Sequence, residues 1–151
     1  MATSITKGTD GVLEITSGGT PEEVPCLRSW TLNTSSSVNT ENTRCMKSNG
    51  DGGSASSIAW DSNTLQGKSW SVDMEFFWQK TDEGASTYLD PTKAGETVGV
   101  KLYPNDNASG EKEYSGSGLV ASVSVPSEVG SNITQTVTIT GDGALAIATV
   151  V

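Results

Sequence analysis

The chain has 151 residues, a formal net charge of −9 and no histidine, which fits one domain with a modest core. The acidic balance argues against general affinity for nucleic acid, because phosphate binding needs clustered lysine and arginine. No apolar run approaches the about 20 residues that a membrane-spanning helix needs. The two cysteines, Cys26 and Cys45, are too few for a disulfide scaffold.

The composition points to an all-β protein. Serine and threonine together account for 40 residues, and threonine-rich segments suit solvated strand faces better than helices. Large aliphatic residues are sparse, so the predicted core is thin. We therefore expect that part of the apolar burial that stabilises the fold comes from contacts with neighbouring copies of the chain.

The first third of the chain contains two predicted strands and one long connection. Residues 1–9 are polar and are predicted to form an N-terminal arm. Residues 12–15 begin the first strand, and residues 24–32 alternate as a second strand, in which Arg28 interrupts the apolar face and is expected to pair or snorkel.

Residues 34–65 are rich in serine, threonine, asparagine and glycine and are predicted to form a long inter-strand loop. A connection of this length is unusual in a compact domain unless it has a function of its own. Its scattered large apolar residues include Met46, Ile58 and Trp60, which are candidate anchors between subunits. We expect these anchors to pack on an adjacent copy.

The central strand is predicted over residues 67–78, the longest run with apolar residues at every second position. One face carries five apolar side chains: Trp70, Val72, Met74, Phe76 and Trp78. The opposite face carries Asp73 and Glu75, which need water or polar partners. The strand therefore has one face on the core and one wet face.

The remainder predicts more strands and one short helix, over residues 82–89, which Pro91 should end. Strands are expected over residues 97–103, 114–126, 132–140 and 144–151, with residues 141–143 forming a tight turn before the last. The predicted architecture is all-β with one short helix, arranged as a sandwich or a barrel-like pair of sheets.

No motif in the sequence indicates catalysis or a bound cofactor. Residues 116–121 (GSGLVA) loosely match a dinucleotide-binding pattern, but they continue into strand alternation, so their glycines more plausibly admit a bulge or a close approach of backbone. Residues 49–53 lack the later glutamate of a calcium loop. Asp73 and Glu75 share one strand, whereas catalytic carboxylates usually come from different elements. We therefore predict no enzyme activity, no cofactor and no metal.

One alternative comes from a different class of protein. An exposed aromatic ring can stack on a sugar, and Trp60 in the long loop is the one tryptophan outside a predicted apolar strand face. A monomeric carbohydrate-binding β-sandwich module would use this residue as its platform.

Several segments from Val24 onward follow one another in a characteristic order and spacing. They are residues 27–32 (LRSWTL), 57–61 (SIAWD), 65–72 (LQGKSWSV), 80–82 (KTD), 98–102 (VGVKL), 115–124 (SGSGLVASVS) and 141–145 (GDGAL). In this order and spacing the chain resembles the tail tube, or major tail, proteins of long-tailed bacteriophages.

The resemblance implies a structural virion protein. In that family six copies form a ring, one sheet of each copy joins a continuous β-barrel, and stacked rings conduct DNA without specific binding. It also implies tape measure, tail terminator and distal tail proteins as partners, no membrane, and a location in the virion tail after assembly in the host cytoplasm. Asp73 and Glu75 are then the leading candidates for residues that face the lumen.

Overall fold

The computed structural model describes residues 11–41, 62–78 and 88–151. These residues form seven strands and one short 3-10 helix, Pro91–Lys93. The strands are β1 (Val12–Thr16), β2 (Glu22–Glu23), β3 (Leu27–Glu41), β4 (Ser62–Phe77), β5 (Thr97–Tyr103), β6 (Lys112–Ser124) and β7 (Thr134–Thr149).

All seven strands belong to one sheet, in the order β2-β1-β5-β6-β7-β4-β3. The pairs with a defined register are antiparallel, with β4 beside β7 from Ser71↔Thr140 to Phe77↔Thr134 and β5 beside β6. The β6–β7 ladder changes register twice, between Ser115 and Ser117 and between Val120 and Ser122. Such irregularities bend a strand and increase its twist.

The core lies on one face of this sheet. Positions on β1, β4, β5, β6 and β7 supply fully buried side chains, so the period-two pattern of the sequence becomes a single apolar layer. The layer includes Leu13, Ile15, Val72, Met74, Phe76, Val98, Val100, Leu102, Val120, Val137 and Ile139. The side chain amide of Gln135 is also buried and donates to the backbone carbonyl of Leu89, which attaches the segment before the 3-10 helix to β7.

The chain between β1 and β3 makes backbone hydrogen bonds to two strands that are not neighbours in the sheet. The backbone N–H of Val24 donates to the carbonyl of Leu13 on β1, and the carbonyl of Cys26 accepts from the N–H of Phe77 on β4. A Cβ added at Gly11 would lie 3.2 Å from Nε1 of Trp30 on β3. This segment therefore contacts β1 and β4, which are separated by β5, β6 and β7 in the strand order.

Trp70 packs its indole directly against the backbone of two glycines. A Cβ at Gly116 would lie 2.6 Å from the ring of Trp70, and one at Gly141 would overlap the ring more severely. The indole Nε1 donates to the carbonyl oxygen of Gly143 at 3.0 Å. The expectation that the glycines of residues 116–121 admit a bulge or a close approach is confirmed: the register shifts between Ser115 and Ser117, the Trp70 indole approaches Gly116, and a Cβ added at Gly118 would lie 2.8 Å from the carbonyl oxygen of Thr140.

Three sequence-based expectations are corrected by the observed strands. Residues 141–143 do not form a turn, because β7 runs without reversal from Thr134 to Thr149 and the glycines there receive the Trp70 indole. Trp78 is not part of the core, because β4 ends at Phe77 and the Trp78 side chain is 45% exposed. Residues 34–41 and 62–65, expected in a loop, belong to β3 and β4.

The helix predicted over residues 82–89 falls mostly outside the described residues. No α-helix is present in residues 11–41, 62–78 and 88–151. Pro91 begins a 3-10 helix of three residues, for which Asp90 is the N-cap: its Oδ1 accepts hydrogen bonds from the backbone N–H and the hydroxyl of Thr92. These hydrogen bonds hold the pKa of Asp90 below its usual value.

By contacts the chain divides into two compact units, which we call the body and the ribbon. The body comprises Met1–Asn33 and Trp70–Val151, and the ribbon comprises Thr34–Ser69. In the described part of the ribbon, the hydroxyls of Ser35 and Ser69 are hydrogen-bonded at 2.7 Å, and the Thr40 hydroxyl donates to Oδ1 of Asn63 at 2.8 Å. Contacts between polar side chains thus link its two strands.

The fit of Trp70 predicts which glycines tolerate a methyl group. Gly141→Ala should lower the free energy of unfolding by about 1–3 kcal/mol, because the new Cβ forces the indole out of its position. Gly19→Ala is the matched control: no atom lies within 4 Å of the added Cβ, so it should be neutral or stabilising by up to about 1 kcal/mol. Urea denaturation measures both, and equal stability of the two variants would contradict the packing described.

Candidate functional surface

The side of the sheet opposite the core carries mainly hydroxyl and carboxylate groups, together with the partly exposed side chains of Phe77 and Leu119, and we call it the polar face. It arises because residues that alternate with core residues on paired strands share the other side of the sheet. Cross-strand pairs place Ser71 opposite Thr140, Asp73 opposite Thr138 and Glu75 opposite Thr136. Ser122 and Ser124 of β6 oppose Thr138 and Thr136 from the other side.

Asp73 is held by neighbours on two different strands. Its Oδ2 accepts a hydrogen bond from Nδ2 of Asn33 at 2.9 Å, and its Oδ1 accepts one from the hydroxyl of Thr138 at 2.8 Å. Both contacts are exposed to solvent. The carboxylate is therefore fixed in orientation while it remains at the surface.

Glu75 is paired with the arginine that interrupts the apolar pattern of the second predicted strand. Nη1 of Arg28 lies 3.1 Å from Oε1 of Glu75, and the two side chains are 58% and 37% exposed. An exposed ion pair of this kind contributes less than about 1 kcal/mol to stability. Its larger effect is on the electrostatics of the polar face, because the positive charge of Arg28 is already paired with the carboxylate of Glu75 in the same chain.

A second polar cluster lies where β1, β5 and β6 run side by side. The hydroxyl of the buried Tyr103 donates to Oε2 of Glu14 at 3.2 Å, and Nζ of Lys101 lies 3.8 Å from a carboxylate oxygen of Glu113. Burial, together with the nearby carboxylates of Glu14 and Glu113, raises the pKa of Tyr103 above its usual value. Lys101, like Arg28, faces a carboxylate of its own chain.

The described residues contain no arrangement typical of a metal or catalytic centre. No group of three or more His, Cys, Asp or Glu side chains in residues 11–41, 62–78 and 88–151 is positioned to hold a metal ion. Asp73 and Glu75 lie side by side on one strand face, each with its own partner. None of the helices in that part of the chain has the length and apolar character needed to cross a bilayer.

The three candidate inter-subunit anchors, Met46, Ile58 and Trp60, lie outside the described residues. The described strands of the ribbon carry two large apolar residues, Val38 and Leu65, each with 53% of its side chain exposed. Both residues lie in the segment predicted from the sequence to be a loop, because no apolar alternation surrounds them. Their strand positions became visible only through the pairing of β3 with β4.

Comparison with known proteins identifies the fold. No family model and no curated protein matches the sequence. The chain is similar to a protein in the tail of an empty gene transfer agent particle with C6 symmetry, with a TM-score of 0.69 at 15% identity over 95% of this chain and 99% of that one. It is similar to the SPP1 tail tube, with a TM-score of 0.68 at 12% identity over 96% and 80% of the two chains.

A third similar structure is the 6-fold symmetrised baseplate of the anti-feeding prophage, with a TM-score of 0.69 at 9% identity over 99% of both chains. These similarities extend over nearly the whole chain. The protein therefore has the fold of tail tube proteins and related tail and baseplate subunits. The all-β tail tube fold expected from the sequence is confirmed, with one seven-stranded sheet.

The environment of Tyr103 predicts a loss of stability at alkaline pH. Because its pKa is raised in the folded protein, the stabilising contribution is fully present below about pH 10, the pKa of a solvated tyrosine, and is lost as the pH rises above that value. Tyr103→Phe should remove this part of the pH dependence, whereas Tyr114→Phe should retain it. Urea midpoints measured between pH 8 and 11 test this, and parallel curves for the two variants would contradict it.

Proposed function

We propose that this chain is the structural subunit of a tail tube, in which rings of six copies stack into a conduit for DNA. The observation that carries the proposal is the match over 95–99% of the chain to subunits of assembled tails and baseplates, two of them described with C6 or 6-fold symmetry. The subunit acts in the virion tail after assembly in the host cytoplasm. Its role is mechanical and needs no catalytic group.

The chemistry of the polar face supports a position at the lumen, with Asp73 and Glu75 exposed to the channel. Strong DNA binding requires cations that can replace the counterions of phosphate. Arg28 is paired with Glu75, and most polar-face positions of β4, β6 and β7 carry hydroxyls or carboxylates, with Phe77 and Leu119 as the partly exposed apolar exceptions. Such a surface is wetted by water and repels phosphate, so DNA passes along it without specific binding.

The edges of the sheet support assembly from identical copies. β3 is an edge strand of 15 residues, and a long open edge invites pairing with another chain. A contact between two different surfaces of identical subunits closes into a ring when the rotation between copies permits it. Strand pairing across such contacts would join one sheet of each copy into the continuous β-barrel expected from the resemblance.

The ribbon is proposed to reach a neighbouring copy. Met46, Ile58 and Trp60 keep their role here as sequence-based candidate anchors. The tape measure protein is the proposed partner inside the tube, and tail terminator and distal tail proteins are the proposed partners at its two ends. All three assignments follow from the proposed function.

The carbohydrate-binding alternative has no observation in its favour. Its platform, Trp60, lies outside the described residues, and Trp70 is buried against the glycines of β6 and β7. The matched structures are parts of tails and baseplates.

The proposal predicts that the purified protein assembles on its own. At rising concentration, six-fold rings or tubes should appear in negative-stain electron microscopy, because the open sheet edges find partners on other copies. Light scattering coupled to gel filtration should show the matching increase in mass. A protein that remains monomeric at every concentration and ionic strength tested would refute the proposed function.

The lumen assignment predicts a change in DNA retention. Tubes of the Asp73→Lys, Glu75→Lys variant should retain DNA in co-sedimentation, and the retention should weaken steeply with added salt, because six copies per ring multiply each new cation. The matched control, Asp106→Lys with Glu128→Lys, makes the same charge change at exposed positions away from the polar face. Equal DNA retention by the two variants would place Asp73 and Glu75 elsewhere than in the lumen.

A further inference from the structure

Among the described strand residues of the body, two cations reach the polar face, and each lies against a carboxylate of a neighbouring strand. Nη1 of Arg28 on β3 is 3.1 Å from Oε1 of Glu75 on β4. Nζ of Lys101 on β5 is 3.8 Å from Oε1 of Glu113 on β6. Lys101 belongs to the polar face because the residues on either side of it in β5 are buried in the core.

Arg28 lies on the polar face although the sequence around it would direct it to the core. Trp30 and Leu32 pack against the core, and strict alternation would place Arg28 on their side of β3. Its guanidinium instead donates a hydrogen bond to Glu75, and 58% of the side chain is exposed. Arg28 therefore adds a cation to a surface that carries mainly hydroxyls and carboxylates.

The negative net charge of the chain does not by itself neutralise such a cation. At physiological ionic strength, exposed charges more than about 8 Å apart are largely screened from each other. A guanidinium presents its N–H donors as a fork that matches two phosphate oxygens, so an unpaired arginine would hold a phosphate even on a chain of net charge −9. Only a carboxylate in contact with the arginine cancels its charge at the place where DNA would touch it. Glu75 has that position.

Asp73, two residues away from Glu75 on the same strand, has uncharged partners. Its carboxylate oxygens accept hydrogen bonds from the amide of Asn33 at 2.9 Å and from the hydroxyl of Thr138 at 2.8 Å. Asp73 therefore adds a full negative charge to the polar face, whereas Glu75 belongs to a pair that is neutral overall. The two carboxylates share one face of β4 and differ in what they do to its charge.

We propose that Glu75 masks Arg28 and thereby prevents the polar face from binding DNA, that Glu113 masks Lys101 in the same way, and that Asp73 repels DNA directly. Glu75 and Glu113 thus act through the cations that they hold. The inference rests on the proposed function, because the masked surface is the one proposed to face DNA. Joining β3 to β4 would be a weak reason for the Arg28–Glu75 pair, since an exposed ion pair contributes little to stability.

Neutral substitutions of similar shape separate the two roles. Glu75→Gln and Asp73→Asn each remove one negative charge from the same face of β4, so they change the net charge equally. Tubes of Glu75→Gln should bind a short labelled DNA duplex about tenfold more tightly than tubes of Asp73→Asn, because each copy then presents an unpaired guanidinium. The affinity of Glu75→Gln should also fall more steeply with added salt, since that slope reports the number of phosphates neutralised. Co-sedimentation over a series of salt concentrations measures both quantities.

Two further variants test whether the arginine is the group that is unmasked. The Arg28→Gln, Glu75→Gln double variant should lose the gain in DNA binding, because no cation remains to be freed. The exchange Arg28→Glu, Glu75→Arg keeps one charge of each sign at the site and should bind as little DNA as the parental protein. At the second pair, Glu113→Gln should raise DNA binding, and Lys101→Gln, Glu113→Gln should not. This second comparison decides the inference if Glu75→Gln does not fold.

The results separate this inference from the proposed function. Equal DNA binding by tubes of Glu75→Gln and Asp73→Asn, or tight binding by tubes of Arg28→Gln, Glu75→Gln, overturns the inference and leaves the function standing. If the parental protein forms no tubes, the proposed function is refuted. Fluorescence anisotropy of the labelled duplex with unassembled protein at low salt then makes the same comparison, because both carboxylates are exposed in the isolated chain. Tighter binding by Glu75→Gln supports masking in that case as well, and equal binding overturns it.

Discussion

The structure depends most on the contact between the Trp70 indole and the glycine backbone of β6 and β7. Gly116 and Gly141 leave space that no side chain could share with the ring, and Gly143 supplies the acceptor for its N–H. A large aromatic ring buried against backbone excludes water from a sheet whose core otherwise consists of aliphatic side chains, Met74 and Phe76. Trp70 is also the first residue of the body that follows the ribbon in the sequence.

The contact of Trp70 with these glycines fixes the strand register on which the polar face depends. From Ser71 onward β4 pairs with β7 without interruption, and this brings Asp73 beside Thr138 and Glu75 beside Thr136. A slip by one residue would exchange the core and polar faces. Arg28 and Asn33 then reach the two carboxylates from β3. The resulting surface has fixed carboxylates, many hydroxyls and a guanidinium that is already paired, which suits the lumen-facing position proposed above.

The sequence predicted strands correctly where one face of the strand packs on the core. The alternation over residues 70–76 and 97–103 predicted both strands and their buried faces, and Thr97–Tyr103 was placed at its observed bounds. It was uninformative in the ribbon, where Ser35, Ser69, Thr40 and Asn63 join strands through polar contacts and leave no apolar period to detect. The Gly-Asp-Gly sequence at 141–143 was misread as a turn, because only the folded chain reveals that Trp70 fills the space.

The candidate surface was predicted in part. Asp73 and Glu75 were assigned to a wet face from their alternation with buried residues, and they do lie on the side of the sheet opposite the core. Their partners Asn33, Thr138 and Arg28 are 40, 65 and 47 residues away in the chain, and no local pattern connects residues at such separations. The exposure of Ile147 could likewise not be predicted from the sequence, since an apolar strand predicts burial.

The central claim is that the polar face lines the channel of a tube built from this chain. A cryo-electron microscopy reconstruction of tubes assembled from the purified protein tests it most directly. The account predicts six-fold symmetry with Asp73, Glu75 and the threonines of β7 on the inner wall. A reconstruction in which the polar face points to the outside of the tube, or lies buried between copies, would contradict it.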